Sequence, residues 1–279
     1  MVKMGDVWDR TVEFLGDNLG AITPVALLAF FLPFSIQSNF AALGDEGQLP
    51  QMTQVALGVV QLAFAVVMLW GQLVITVMAL DIAGGAGPAR IASARLLPVL
   101  GASLVLFAAL LVLFLPVPVL AYLGGVDVAA LQQGRIEAAN PSILTAIALY
   151  MLVLTPVLLW LGARFALVQP AVAREGRPLG AIARSWQLTR GYALRIVGVL
   201  ILYYLVSSVA YGAARLVFGS IFALVAGAGD GALSVAGVLT SIACGAVQTA
   251  SAVVLPAFAG KLYLAINGQA GLTRAMEDL

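Results

Sequence analysis

Six stretches of this chain run apolar for about 20 residues or more, at 21–43, 54–80, 96–123, 142–163, 193–216 and 235–266. About 20 residues is the length a helix needs to cross the ~30 Å hydrocarbon core of a bilayer. Within that core only a helix pairs every backbone N–H and C=O inside its own segment, short of closing a barrel. Composition agrees. Of 279 residues 62% are hydrophobic and 10% charged, with a mean hydropathy of +1.05, against roughly 25% charged in a soluble domain. The expectation is an all-α polytopic membrane protein: one membrane domain over residues 1–279, with six transmembrane helices and amphipathic cytoplasmic interfacial helices.

Orientation is read from the loop Lys and Arg residues. Six spans place Lys3, Arg10, Arg90, Arg95, Arg164, Arg174, Arg177, Arg184, Arg190, Arg195, Lys261 and Arg274 on one side, and only Arg135 and Arg215 on the other. Both termini are therefore expected in the cytoplasm. Arg outnumbers Lys twelve to two in a chain rich in Ala, Gly, Val and Leu. This points to a GC-rich bacterial source, and hence to a bacterial inner membrane.

The first 19 residues read as an amphipathic helix rather than a cleaved signal, because they are mixed in charge and net acidic. Met4, Trp8, Val12, Leu15 and Leu19 fall on one face, opposite Asp6, Asp9, Arg10, Glu13 and Asp17. Lying in the interface, such a helix would use Trp8 as its headgroup-level anchor. The chain closes with a short polar tail, 267–279.

Residues 164–192 form a basic elbow between the fourth and fifth spans. Pro178 suits a first helical position, and Leu179, Ile182, Ala183 and Trp186 follow at i, i+3, i+4 and i+7. With that face in the acyl boundary, Arg174, Arg177, Arg184, Arg190 and Arg195 would meet anionic phospholipid headgroups, or a second membrane protein, beside Trp186. Simple anchoring under the positive-inside rule is the alternative. Arg164 precedes nine uncharged residues and is expected below the membrane surface, where an arginine needs a partner or a snorkelling route. Asp81, at the same depth on the second span, is the expected ion-pair partner. The two together would be a structural intramembrane pair. A weak echo of the elbow precedes the third span, where Gly87-Pro88 leads to Ile91 and Arg95.

Chemistry is sparse. Histidine is absent, and Cys244 is the single cysteine, set in an apolar run. The commonest metal ligand and the usual neutral-pH base are thus missing, and no disulfide can form within one chain. No catalytic residue, metal site or cofactor is expected, and nothing points to nucleic acid. Gly84-Gly85-Ala86-Gly87 lacks the Lys and strand context of a phosphate loop and reads as a turn. Polar residues within the spans, among them Gln61, Gln72, Thr76, Gln169, Ser207, Ser208, Gln248 and Thr249, are expected to hydrogen-bond between helices.

At Arg164–Arg195 the chain resembles the membrane-domain family found fused to some glycerophosphoryl diester phosphodiesterases, and related stand-alone bacterial inner-membrane proteins. Arg164, Pro170, Glu175, Ser185, Trp186, Leu188, Thr189 and Arg190-Gly191 carry the likeness, with Val7-Trp8 and Pro24 near the start. The resemblance implies a six-helix membrane module without the catalytic barrel. The expected function is a non-enzymatic accessory, scaffold or lipid-organising factor. The alternative is a transporter or flippase for a lipid-like or small amphiphilic substrate, with prolines such as Pro33 and Pro156 as hinges. A solid apolar interior would favour the first, a continuous polar cavity the second.

Overall fold

The computed structural model describes residues 2–45, 50–82, 87–124, 141–226 and 234–277. Over them the chain is an all-α polytopic membrane protein with six helical spans long and apolar enough to cross a bilayer. Arg135 and the Gly84-Gly85-Ala86 stretch lie outside the described residues.

Helix α1 (Met4–Asp17) leads into a first span built of α2 (Leu19–Ala26), a π-helical turn (Leu27–Phe31) and α3 (Leu32–Asp45). Pro24 and Pro33 flank that turn, and neither can donate a helical hydrogen bond. The backbone slips by one residue, so that the Leu32 N–H bonds the Leu27 carbonyl five positions back. The slip carries Ala29 and Phe30, both fully buried, against α4 (Gln51–Ala79). A Cβ on Gly71 would overlap that of Ala29. Small residues let membrane helices approach this closely.

The third span is α5 (Pro88–Phe114) continued by α6 (Pro116–Leu123), and the fourth is α7 (Pro141–Phe165). Arg90 and Arg95 therefore lie on the first turns of α5 itself. Two short helices follow, α8 (Val168–Glu175) and α9 (Pro178–Leu188), then α10 (Ala193–Ala226), α11 (Val235–Ala252) and α12 (Val254–Glu277). At 34 residues α10 is about 51 Å long, well beyond the hydrocarbon thickness, so it tilts or projects.

Packing is densest at the arginine-rich end. Leu73, Val74 and Val77 of α4 meet Leu167, Ala171 and Val172 of the elbow and Phe258, Leu262 and Tyr263 of α12, all nearly or fully inaccessible. Helix α8 is thus part of the core, in contact with α4, α5 and α12. Outward, Leu97, Leu104, Phe107, Leu111 and Val112 cover α5 with the apolar surface a lipid-facing helix requires.

Helix α1 docks on the bundle. Val7, Thr11 and Phe14, at i, i+4 and i+7, are its buried face against α12, and the Thr11 hydroxyl donates to its own Val7 carbonyl at 2.7 Å. Lys261 of α12 lies 4.5 Å from the Phe14 ring centroid. The expected apolar stripe is the outer one: Trp8 is 42% exposed, its ring 6.3 Å from Phe258, and Val12 and Leu19 are exposed with it.

Candidate functional site: an interior cleft

Helix α7 packs on α10, α6 and α9, with no comparable contact to α4 or α12. The gap left between them is the main cavity, about 640 Å³, lined by Met68, Gln72, Leu158, Leu159, Gly162, Gln169, Tyr203, Leu255 and Phe258 among others. It adjoins a second cavity of about 290 Å³ through Tyr203, Tyr204 and Ala252. That one adjoins a third, about 550 Å³, through Tyr211 and Gln248. Phe34 borders all three. Volumes of this size suit a drug-sized or larger guest.

The cleft changes character along its length. Its end near the arginines is mostly Met, Leu, Ile and Phe, floored by α8 through Gln169. Its far end gathers Gln37, Ser38, Gln61, Tyr211, Ser241 and Gln248. The first group lies in the elbow-side halves of the spans and the second in the opposite halves. Among the described residues none of its walls is Asp, Glu, Lys or Arg.

Six of the eight polar residues singled out by sequence border this cleft: Gln61, Gln72, Gln169, Ser207, Ser208 and Gln248. Three of the eight bond within their own helices rather than between helices. Ser208 donates to the Tyr204 carbonyl of its own helix, as Thr76 does to Gln72 and Thr249 to Gly245. Gln169 Nε2 is buried without a partner. Interhelical bonds come from elsewhere: Tyr150 to the Leu113 carbonyl (2.5 Å), Tyr203 to the Ser251 carbonyl (2.9 Å) and Asn39 to Ser241 (2.8 Å). The tyrosines were missed by sequence reading, although Tyr203, Ser207 and Tyr211 at i, i+4 and i+8 make one polar stripe on α10.

The elbow is a separate site. Arg164 does not pair with Asp81. Its guanidinium carbon lies 5.0 Å from the Trp160 ring centroid and 4.9 Å from that of Trp186, and Nη1 donates to the Trp186 carbonyl at 3.2 Å. The two indoles stand at 90°, with centroids 5.2 Å apart, and Arg164 fills the corner. The Arg164 carbonyl accepts from Ser185 Oγ at 2.7 Å and from Thr189 Oγ1 at 3.3 Å. In an apolar setting an aromatic face offers a guanidinium what a carboxylate otherwise would. Asp81 ends α4 with φ +52, and the charge of Lys261 is among those close to it.

Arg184 is also engaged, donating from Nη2 to Asn267 Oδ1 at 2.9 Å with Glu175 3.9 Å from its Nε. Arg174, Arg177, Arg190 and Arg195 are exposed, as are Leu179 and, at 38%, Trp186. Beneath them Ala181, Ser185 and Leu188 form the face of α9 buried on the bundle. The lipid face read from sequence is thus the outer of two. Arg95 reaches the elbow from α5, its guanidinium lying where a side chain on Gly176 would stand; Gly176 has φ +71.

Among the described residues no group of three His, Cys, Asp or Glu is placed to hold a metal ion. No family model, curated protein or solved structure matches the chain.

Proposed function

We propose that this multi-pass protein sits in the bacterial inner membrane with both termini cytoplasmic, and that it lodges a lipid-like or small amphiphilic molecule in its interior cleft and moves it between leaflets. The observation that carries this reading is the series of adjoining cavities lined by side-chain amides and hydroxyls. Among the lining polar atoms Gln169 Nε2 is buried without a protein partner, which is costly in a membrane, and a guest with a polar head and an apolar tail matches a cleft that is apolar at one end and polar at the other. The twelve-to-two division of Lys and Arg supports the orientation. The resemblance at Arg164–Arg195 supports a lipid setting and carries no activity with it.

The accessory or lipid-organising reading draws on a different surface. Exposed Arg174, Arg177 and Arg190 beside Leu179 and Trp186 suit anionic phospholipid headgroups or a membrane partner. The two readings are compatible, the elbow anchoring the bundle around its cleft.

The test is reconstitution into vesicles carrying trace tail-labelled nitrobenzoxadiazole lipids: phosphatidylglycerol, phosphatidylcholine and galactosyl diacylglycerol. Dithionite bleaches only the outer leaflet. Protein should make at least one label bleach beyond the outer-leaflet fraction, and Gly162→Phe, which fills the cleft from a position where a Cβ meets nothing within 4 Å, should suppress it. If no label is moved or retained on the purified protein, the reading falls.

A further inference from the structure

Resting on the cleft reading, we infer that the guest's headgroup is uncharged and rich in hydroxyls, as in a glycosyl or polyol lipid, and that it is held at the far end of the cleft, among Gln37, Gln61, Tyr211 and Gln248.

The argument is one of charge and donor inventory. An anionic phosphate taken out of water needs Arg, Lys or several oriented N–H donors, and a buried cation needs a carboxylate or an aromatic cage. No described residue lining the three cavities is Asp, Glu, Lys or Arg. The basic side chains nearby are held elsewhere, Arg164 by two indoles and Arg184 by Glu175 and Asn267. The walls offer amides from Gln37, Gln61, Gln72, Gln169 and Gln248, each donating and accepting at once. They also offer the Tyr211 hydroxyl. Hydroxyl groups match that mixed pattern, because each is itself donor and acceptor.

The tyrosines do not form a cage. Tyr203 and Tyr204 pack edge to face on each other, 5.2 Å between centroids, and Tyr203 spends its proton on the Ser251 carbonyl. An acyl tail then has the Leu158, Leu159, Leu200, Leu255 and Phe258 region of the main cavity. The cleft is open beside Tyr204, which is 58% exposed, so the tail can leave sideways into lipid while the head stays on polar walls.

The vesicle assay separates this proposal from the reading beneath it. Labelled galactosyl diacylglycerol should exchange at least about tenfold faster than labelled phosphatidylglycerol or phosphatidylcholine, the cost of carrying charge through an uncharged path. Gln248→Leu, and Gln61→Leu separately, should cut galactolipid exchange severalfold, with Gln248→Asn retaining more than Gln248→Leu. Each variant is compared after a monodisperse gel-filtration profile and a wild-type helical signal are obtained. Equal or faster exchange of the charged lipids overturns the neutral-head assignment and leaves the cleft reading standing. A galactolipid preference untouched by both leucine variants overturns the placement. Exchange of no label overturns both.

Discussion

Arg164 packs over Trp186, 4.9 Å from its ring centroid, and donates to the same residue's carbonyl at 3.2 Å, so one side chain ties the end of the fourth span to the elbow helix twenty-two positions on. The contact joins a cation, a ring and a backbone acceptor that the Thr189 hydroxyl also reaches, at 3.4 Å. Such a cation–π contact is worth about 0.5–2 kcal/mol. Arg164→Ala and Trp186→Ala should each lower the melting temperature in detergent, and together by less than their sum, with a coupling of about 1 kcal/mol. Arg164→Lys should recover less than half of the loss, because an ammonium neither stacks flat nor reaches the carbonyl in the same geometry. Additive losses in thermal unfolding would show that the contact contributes nothing.

Asp81 carries a different duty from the ion pair its depth suggested. It ends α4 in the left-handed region, φ +52, with its N–H bonded to the Met78 carbonyl. Asn and Gly tolerate that conformation, whereas β-branched residues do not. Asp81→Asn and Asp81→Gly should therefore keep expression and melting temperature near wild type, while Asp81→Val should cost about 1–2 kcal/mol. A collapse of Asp81→Asn alone would restore the charge to importance.

Gly176 is required twice over. Its φ of +71 is strained for any L side chain, and the Arg95 guanidinium occupies the space a Cβ would enter. Gly176→Ala should cost about 1–2 kcal/mol from the backbone alone and displace Arg95 from the elbow. Limited trypsin digestion should then cut faster at Arg174, since the turn joining α8 to α9 is loosened; the Arg177–Pro178 bond resists trypsin in either form. Wild-type cleavage rates in Gly176→Ala would sink the idea that Arg95 braces this turn.

The spans were legible because bilayer crossing demands long apolar runs, and nothing else in the chain competes with that signal. Faces were less so. Helix α1 has two apolar stripes, Val7–Thr11–Phe14 and Trp8–Val12–Leu19. Periodicity alone does not say which meets protein, because lipid accepts apolar side chains as readily as a core does. The same ambiguity hid the buried Ala181–Ser185–Leu188 face of α9. Arg164 was visible as an anomaly, but its indole partners come from a neighbouring turn, Trp160, and a separate helix, Trp186. The polar residues were all in view; their convergence depends on which helices fail to touch, and composition is silent about that. The π-helical slip needed Pro24 and Pro33 to be read as a pair rather than as separate kinks.

That slip yields the sharpest packing prediction. The first span is clamped from two sides, where Gly71 of α4 meets Ala29 and Gly245 of α11 meets Ser35, and a Cβ on either glycine would overlap its neighbour. Gly71→Ala should cost about 1–3 kcal/mol, the range for overpacking, because the obstacle is a Cβ that has no rotamer to retreat to. Gly245→Ala should cost less, because the Ser35 hydroxyl it meets can turn away. Ser35 Oγ is itself buried with no hydrogen-bond partner, so Ser35→Ala removes an unsatisfied group and should leave the melting temperature unchanged or raise it. In Gly245→Ala the same Ser35→Ala change should rescue stability, since the colliding oxygen is gone. Thermal unfolding of the two single variants and the double variant decides it. A double variant no better than Gly245→Ala would mean that the α3–α11 contact is set by something other than Ser35.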